Sequence, residues 1–215
     1  MKKAYTHIIW DWNGTLYNDV EWCYIVINEM LSKRNMKTLD SILEYQRLFC
    51  FPIINYYKNV GFNFEKESFD EITKEFILLY HSEKSNDYCK LHNEVFNILE
   101  LFYKRNKIQI ILSASERNNL LSQVYTFNIK QFFHEILGLS NIHAKSKLEI
   151  GISYTKQYGI KNAVLIGDTV HDFEVANGLN IDCLLISKGH QNKEKLITCN
   201  VPVLENLYQI IEYIE

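Results

Sequence analysis

Tyr5-Thr6-His7-Ile8-Ile9-Trp10 runs without a break into Asp11-Trp12-Asn13-Gly14-Thr15. An apolar run of strand length ends on an acidic residue and an Asn-Gly turn. Three more short apolar runs follow, at Ile108–Leu112, Ala163–Ile166 and Cys183–Ile186. Continuously apolar strands of this kind suit a parallel sheet covered on both faces. Helical patterns separate the last three, over 115–127 and 147–158 and from Asp172 to Asn177, with Gly178 placed as the residue after the helix end. The alternation predicts an α/β fold with a doubly wound parallel sheet.

The first strand breaks that rhythm, because about 80 residues separate it from the next strand-like run. Val20, Cys23, Tyr24, Ile27 and Leu31 fall at helical spacing, and so do Phe69, Ile72, Phe76, Leu79 and Tyr80. Asn18 or Asp19 is positioned to cap the first of these helices. The expected organisation is an α/β core from 1–17 and 89–215, with a helical cap over 18–88. Tyr56, Tyr57, Phe62 and Phe64 are read as the core of that cap.

Composition narrows the functional class. The chain has 215 residues, 47% of them apolar and 23% charged, which is ordinary for a globular protein. A formal charge of −3 lacks the basic footprint of a nucleic-acid binder. There is no apolar run of spanning length and no secretory leader pattern, so no membrane partner is expected. Five cysteines without a C-x-x-C pair read as reduced, buried thiols of a cytoplasmic protein. A monomer or homodimer is expected.

In open α/β sheets ligands bind at the carboxyl ends of the strands. The first strand is followed by Asp11-Trp12-Asn13-Gly14-Thr15, and the second by Ser113-Ala114-Ser115. The third leads into Gly167-Asp168-Thr169-Val170-His171-Asp172, and Lys145-Ser146-Lys147 precedes a helix. Three carboxylates, a hydroxyl and one or two ammonium groups suit phosphoryl transfer. Asp11 is placed to attack phosphorus and carry the phosphoryl group. Mg²⁺, held by Asp11, Asp168 and Asp172, would screen the carboxylate from the phosphate dianion. Ser113 and a lysine would bind the remaining oxygens, and Gly14 would let backbone amides come close.

These four segments, in this order, resemble the haloacid dehalogenase superfamily, and within it phosphoglycolate-phosphatase-like members with a D-W-N-G-T first motif. Phe51-Pro52, Tyr56-Tyr57, Gly61-Phe62 and Gly189-His190-Gln191 add to the likeness. The resemblance implies a Mg²⁺-dependent phosphatase of a small phosphorylated metabolite. It gives Asp11, Asn13 and Lys147 catalytic places. It gives Gly14, Thr15, Ser113, Ala114 and Lys147 to the substrate, and Asp11, Asp168, Asp172 and the main-chain carbonyl of Asn13 to the metal. Lys145 stays open beside Lys147.

Asn13 departs from the pattern, which has an acid/base Asp there. An amide cannot shuttle a proton, and general acid–base help is worth about 10²–10⁴-fold. A good leaving group, a donor such as His171 or a cap residue, or a binding role without turnover would each answer this. His171 otherwise reads as an exposed loop residue, and Trp12 as packing beside the site. Dehalogenation and phosphotransfer are the competing reactions, and a non-catalytic phosphometabolite binder is the competing class.

Overall fold

The computed structural model describes residues 2–139 and 146–215; Lys145 lies outside them. Strand β1 (His7–Trp10) leads to a short β2 (Tyr17–Asn18). Five helices follow: α1 (Val20–Lys33), α2 (Ile42–Leu48), α3 (Ile53–Asn59), α4 (Phe69–Tyr80) and α5 (Ser85–Tyr88). The chain returns through β3 (Lys90–Leu91), antiparallel to β2, with Tyr17 opposite Leu91. This ribbon is the stem of a helical cap.

Then come α6 (Val95–Lys104), β4 (Ile108–Glu116), α7 (Arg117–Thr126) and β5 (Glu135–Leu139). After these lie α8 (Lys147–Gln157), β6 (Ala163–Gly167), α9 (Val170–Leu179), β7 (Asp182–Ile186), α10 (Lys193–Ile197) and β8 (Val203–Leu204). The main sheet is parallel, in the order β5-β4-β1-β6-β7-β8. The doubly wound parallel sheet expected from the apolar runs is thus present, with two strands more than those runs marked.

The unbroken apolar runs have a direct cause. Ile8 and Trp10 of β1 face one core, while Ile9 faces the other. Val164 and Ile166 of β6 likewise oppose Ala163 and Leu165. Both faces are dry, so neither can be polar. Complete burial of a side chain such as Ile9 contributes roughly 1.5–3 kcal/mol. The first core continues into the cap through Val26, Ile27, Met30 and Ile72.

Several boundaries differ from the sequence expectations. β5 has Glu135 and Gly138 within five residues and pairs on one side only, so it lacks the signature of a buried strand. β4 runs on to Glu116, whose carboxylate caps α7 through the Asn118 and Asn119 amides. α9 continues through Gly178 and closes at Asn180 in the left-handed region, φ 55°. Gly178 instead gives room to Leu148, which a Cβ would meet at 2.5 Å. α9 begins at Val170 rather than Asp172; Thr169 caps it, with Asp172 as the reciprocal partner of a capping box. Asp19 stands at the α1 N-cap position, yet its carboxylate makes no cap bond.

Candidate active site

The carboxyl ends of β1, β4 and β6 converge on one buried cluster. Asp11 leaves β1, Ser113 lies on β4, and Asp168 follows β6. Lys147 opens α8 and reaches beneath them, only 3% exposed. Its ammonium binds Asp11 Oδ1, and Asp172 Oδ1 at 2.5 Å. Asp172 Oδ2 accepts from the main-chain amides of Asp168 and Thr169 and from the Thr169 hydroxyl. Asp172 therefore fixes both the loop and the lysine. Thr15 Oγ1 donates to Asp168 Oδ1 at 2.9 Å, and the His190 amide donates to Asp168 Oδ2 at 2.6 Å.

Electrostatics follow from this crowding. Burial, then the charge of Asp172, pushes the Asp11 carboxyl up to about 6 against the pull of Lys147. Burial also drives Asp168 far above the usual carboxylate range, with Asp11 and Asp172 adding to it. Burial works the same way on Asp172, but Lys147 and Thr169 hold it below its ordinary value. Lys147 stays charged, because its two carboxylates overcome its desolvation.

A second set of groups surrounds position 13. Asn13 Nδ2 donates to Asp19 Oδ2 at 2.8 Å and to the Tyr80 hydroxyl at 3.0 Å. Asn13 Oδ1 accepts from Ser115 Oγ at 2.6 Å, and Tyr80 donates to Asp19 Oδ2 at 2.6 Å. His190 Nε2 lies 3.1 Å from Asp19 Oδ1, and its Nδ1 lies 2.8 Å from the Tyr45 hydroxyl. Burial alone would lower the His190 pKa, but Asp19, with Asp168 and Asp11 behind it, raises it to about 9. At neutral pH the imidazolium and Asp19 form a buried ion pair. Asp19, Tyr80 and His190 thus join cap and core around Asn13.

Each candidate residue other than Lys145 has a definite place. Asp11, Asn13, Ser113, Ala114, Lys147, Asp168 and Asp172 border one cavity. Ser113 Oγ accepts from the Ser115 amide, which leaves its own proton free to donate. Gly14 and Thr15 depart from their expected role. The Gly14 amide is already donated to Tyr17 O at 2.7 Å and to Asp19 Oδ1 at 3.1 Å, so it cannot face an anion. Gly14 is needed for space: φ is +77°, and a Cβ would come within 2.3 Å of Asp168 Oδ2. The Thr15 hydroxyl serves Asp168 rather than a ligand. Trp12 is fully buried, donates to Gln123 Oε1 and stacks on Tyr17. His171 lies at the cavity rim against Phe51, its side chain 27% exposed.

The cavity measures about 430 Å³. Its floor is the charged cluster, and its roof comes from α2, α3 and α4 of the cap, where Tyr45, Tyr56 and Phe76 line it.

A family model for haloacid dehalogenase-like hydrolases matches residues 8–186. The chain belongs to the haloacid dehalogenase-like hydrolases. Among solved structures it is similar to a predicted phosphatase from Clostridium acetobutylicum, at 14% identity over 98% of both chains and a TM-score of 0.81. A predicted phosphoglycolate phosphatase from Haemophilus somnus shares 16% identity over 97% of both chains, with a TM-score of 0.78. Protein tyrosine kinase A of Mycobacterium tuberculosis shares 18% over 98% of both, at 0.80. At such identities the likeness is one of fold. No curated protein sequence matches the chain.

This hydrolase has the donors for a hard divalent cation. Oxygens of Asp11, Asp168 and Asp172 lie within 4.8 Å of one another, all buried. Three carboxylates crowd around the single ammonium of Lys147, and burial, with this crowding added, raises Asp11 and Asp168. Oxygen-only donors suit Mg²⁺. Asp19, Tyr80 and Ser115 escape a reading of the hydrolase sequence alone. Asp19 looks like a helix cap, Tyr80 like one more apolar helix position, and Ser115 like the start of α7. A Gly-His-Gln triplet is the sole sign of His190.

Proposed function

We propose that the protein is a Mg²⁺-dependent phosphatase of a small phosphorylated compound. The observation that carries this is Asp11, bordering the cavity, oriented by Lys147 and flanked by Asp168, Asp172 and the free Ser113 proton. In this reading Asp11 attacks phosphorus and the ester P–O bond breaks. The phosphoryl group is then on the Asp11 carboxylate, and the alcohol departs with a proton from solvent. Water next attacks the aspartyl phosphorus, releasing inorganic phosphate and restoring Asp11. Lys147 and Ser113 bind the phosphoryl oxygens. Asp11, Asp168, Asp172 and the Asn13 carbonyl would hold the metal. Bound Mg²⁺ would offset the repulsion between the attacking carboxylate and the dianion.

Asn13 takes no part in proton transfer, because its amide is fully committed to Asp19, Tyr80 and Ser115. Leaving groups that depart easily are therefore preferred. The same commitment favours the second reading, a protein that binds phosphorylated compounds without turning them over. We further take residues 18–88 as a cap moving on the 1–17 and 89–215 core. The five free cysteines support the cytoplasm as its compartment. Among the described residues no helix is long and apolar enough to cross a membrane.

The test is phosphate release from aryl and acyl phosphates, with Mg²⁺ or with a chelator, against Asp11→Ala. Release that needs Mg²⁺ and falls by at least about 10³-fold in the variant supports the enzyme. Mg²⁺ binding without any release supports the binder.

A further inference from the structure

The roof of the cavity indicates what the substrate carries beyond its phosphate, given the phosphatase reading above. A volume of about 430 Å³ is ample for more than a two-carbon acid and falls within the range of pockets for drug-sized ligands. The cap wall is built largely from Tyr45, Phe49, Tyr56, Tyr57, Phe76 and Ile77. Among the described residues no arginine or lysine lines that wall, and Lys147 on the floor is already held by Asp11 and Asp172. His81 of the cap is pushed toward the neutral form by burial. A leaving group with its own carboxylate would be buried here without a counter-charge, which is costly. An uncharged apolar group gains from the same wall.

We infer that the substrate is a phosphomonoester of an uncharged, aromatic-sized apolar alcohol or phenol, matched to the apolar cap wall of the cavity. A short carboxylated ester of the phosphoglycolate kind is a poor match for this chamber.

The experiment uses the full chain with Mg²⁺ and four aryl phosphates: phenyl, 4-propylphenyl, 4-(2-hydroxyethyl)phenyl and 4-carboxyphenyl phosphate. The 4-propylphenyl ester should exceed the phenyl ester in kcat/KM by about tenfold. The 4-carboxyphenyl ester should be the slowest, although its phenol leaves more readily. The hydroxyethyl ester, polar at its tip, should fall below the propyl ester by roughly three- to tenfold. Calorimetric binding of the matching benzylphosphonates should give the same ranking. Asp11-dependent release with the carboxylated ester equal or best overturns the chamber and leaves the phosphatase standing. No release from any ester, with the phosphonates ranked as expected, overturns the phosphatase and leaves the chamber. Unranked phosphonates without release overturn both.

Discussion

The floor and the roof of the cavity are built on opposite principles. The floor is a set of buried charges, Asp11, Asp168 and Asp172 around Lys147, each held by at least one further group. The roof is a set of rings touching one another, Tyr45 on Phe49 and Tyr56, Tyr56 on Tyr57, and Tyr57 on Phe76. The difference separates two tasks. Chemistry on a phosphate needs fixed charge at strand ends, where backbone and caps can hold it. Recognition of the rest needs shape and dry surface, which a helical cap supplies. Position 13 is the seam, because Asn13 ties the cap residues Asp19 and Tyr80 to the core residue Ser115.

The largest expected effect tests the charge balance of the floor. Lys147→Met should lower phosphate release by about 10²–10³-fold. It also breaks a buried ion pair, a change that costs about 3–5 kcal/mol. Thermal melts should then show a greater gain from Mg²⁺ in the variant than in the wild type, since the cation replaces the lost charge. An unchanged rate and melting temperature would end the view of the floor as a charge-balanced unit.

Asn13→Asp probes the seam. It puts a carboxylate where an amide now donates to Asp19 at 2.8 Å. Stability should fall by about 1–3 kcal/mol in urea titration. Activity on esters with poor leaving groups should rise by at least about tenfold, as general acid–base help is gained. A dependence on leaving group as steep as before would show that protons are handled elsewhere.

The smallest effect lies in the His190–Asp19 pair. The His190 pKa is raised from 6.5 to about 9, with Asp19, Asp168 and Asp11 facing it. A raised histidine stabilises the fold fully below its unfolded value and loses that contribution as pH climbs through its folded value. The wild-type urea midpoint should therefore fall between pH 6.5 and about 9, by no more than about 3 kcal/mol in stability. His190→Gln should be flatter across the same window. Parallel profiles would mean that the pair does not lock the seam.

The sequence by itself determined the parallel sheet and the floor. Ile8, Ile9 and Trp10 must be apolar because both faces of β1 are dry. Asp11 and Asp168 directly follow β1 and β6, places that the apolar runs mark along the chain, whereas those runs leave Lys147 and Lys145 as alternatives. Edge strand β5 escaped, since one-sided pairing tolerates Glu135 and Gly138. Tertiary structure alone decided the partners of Asn13. Asp19 could serve a helix end or a neighbouring histidine, and Tyr80 could be core or contact. Only the docking of the cap, which brings residues 13, 19, 80, 115 and 190 together, resolves those choices. Local propensity cannot encode such a meeting, because each partner is equally content elsewhere until burial leaves it no water to bond.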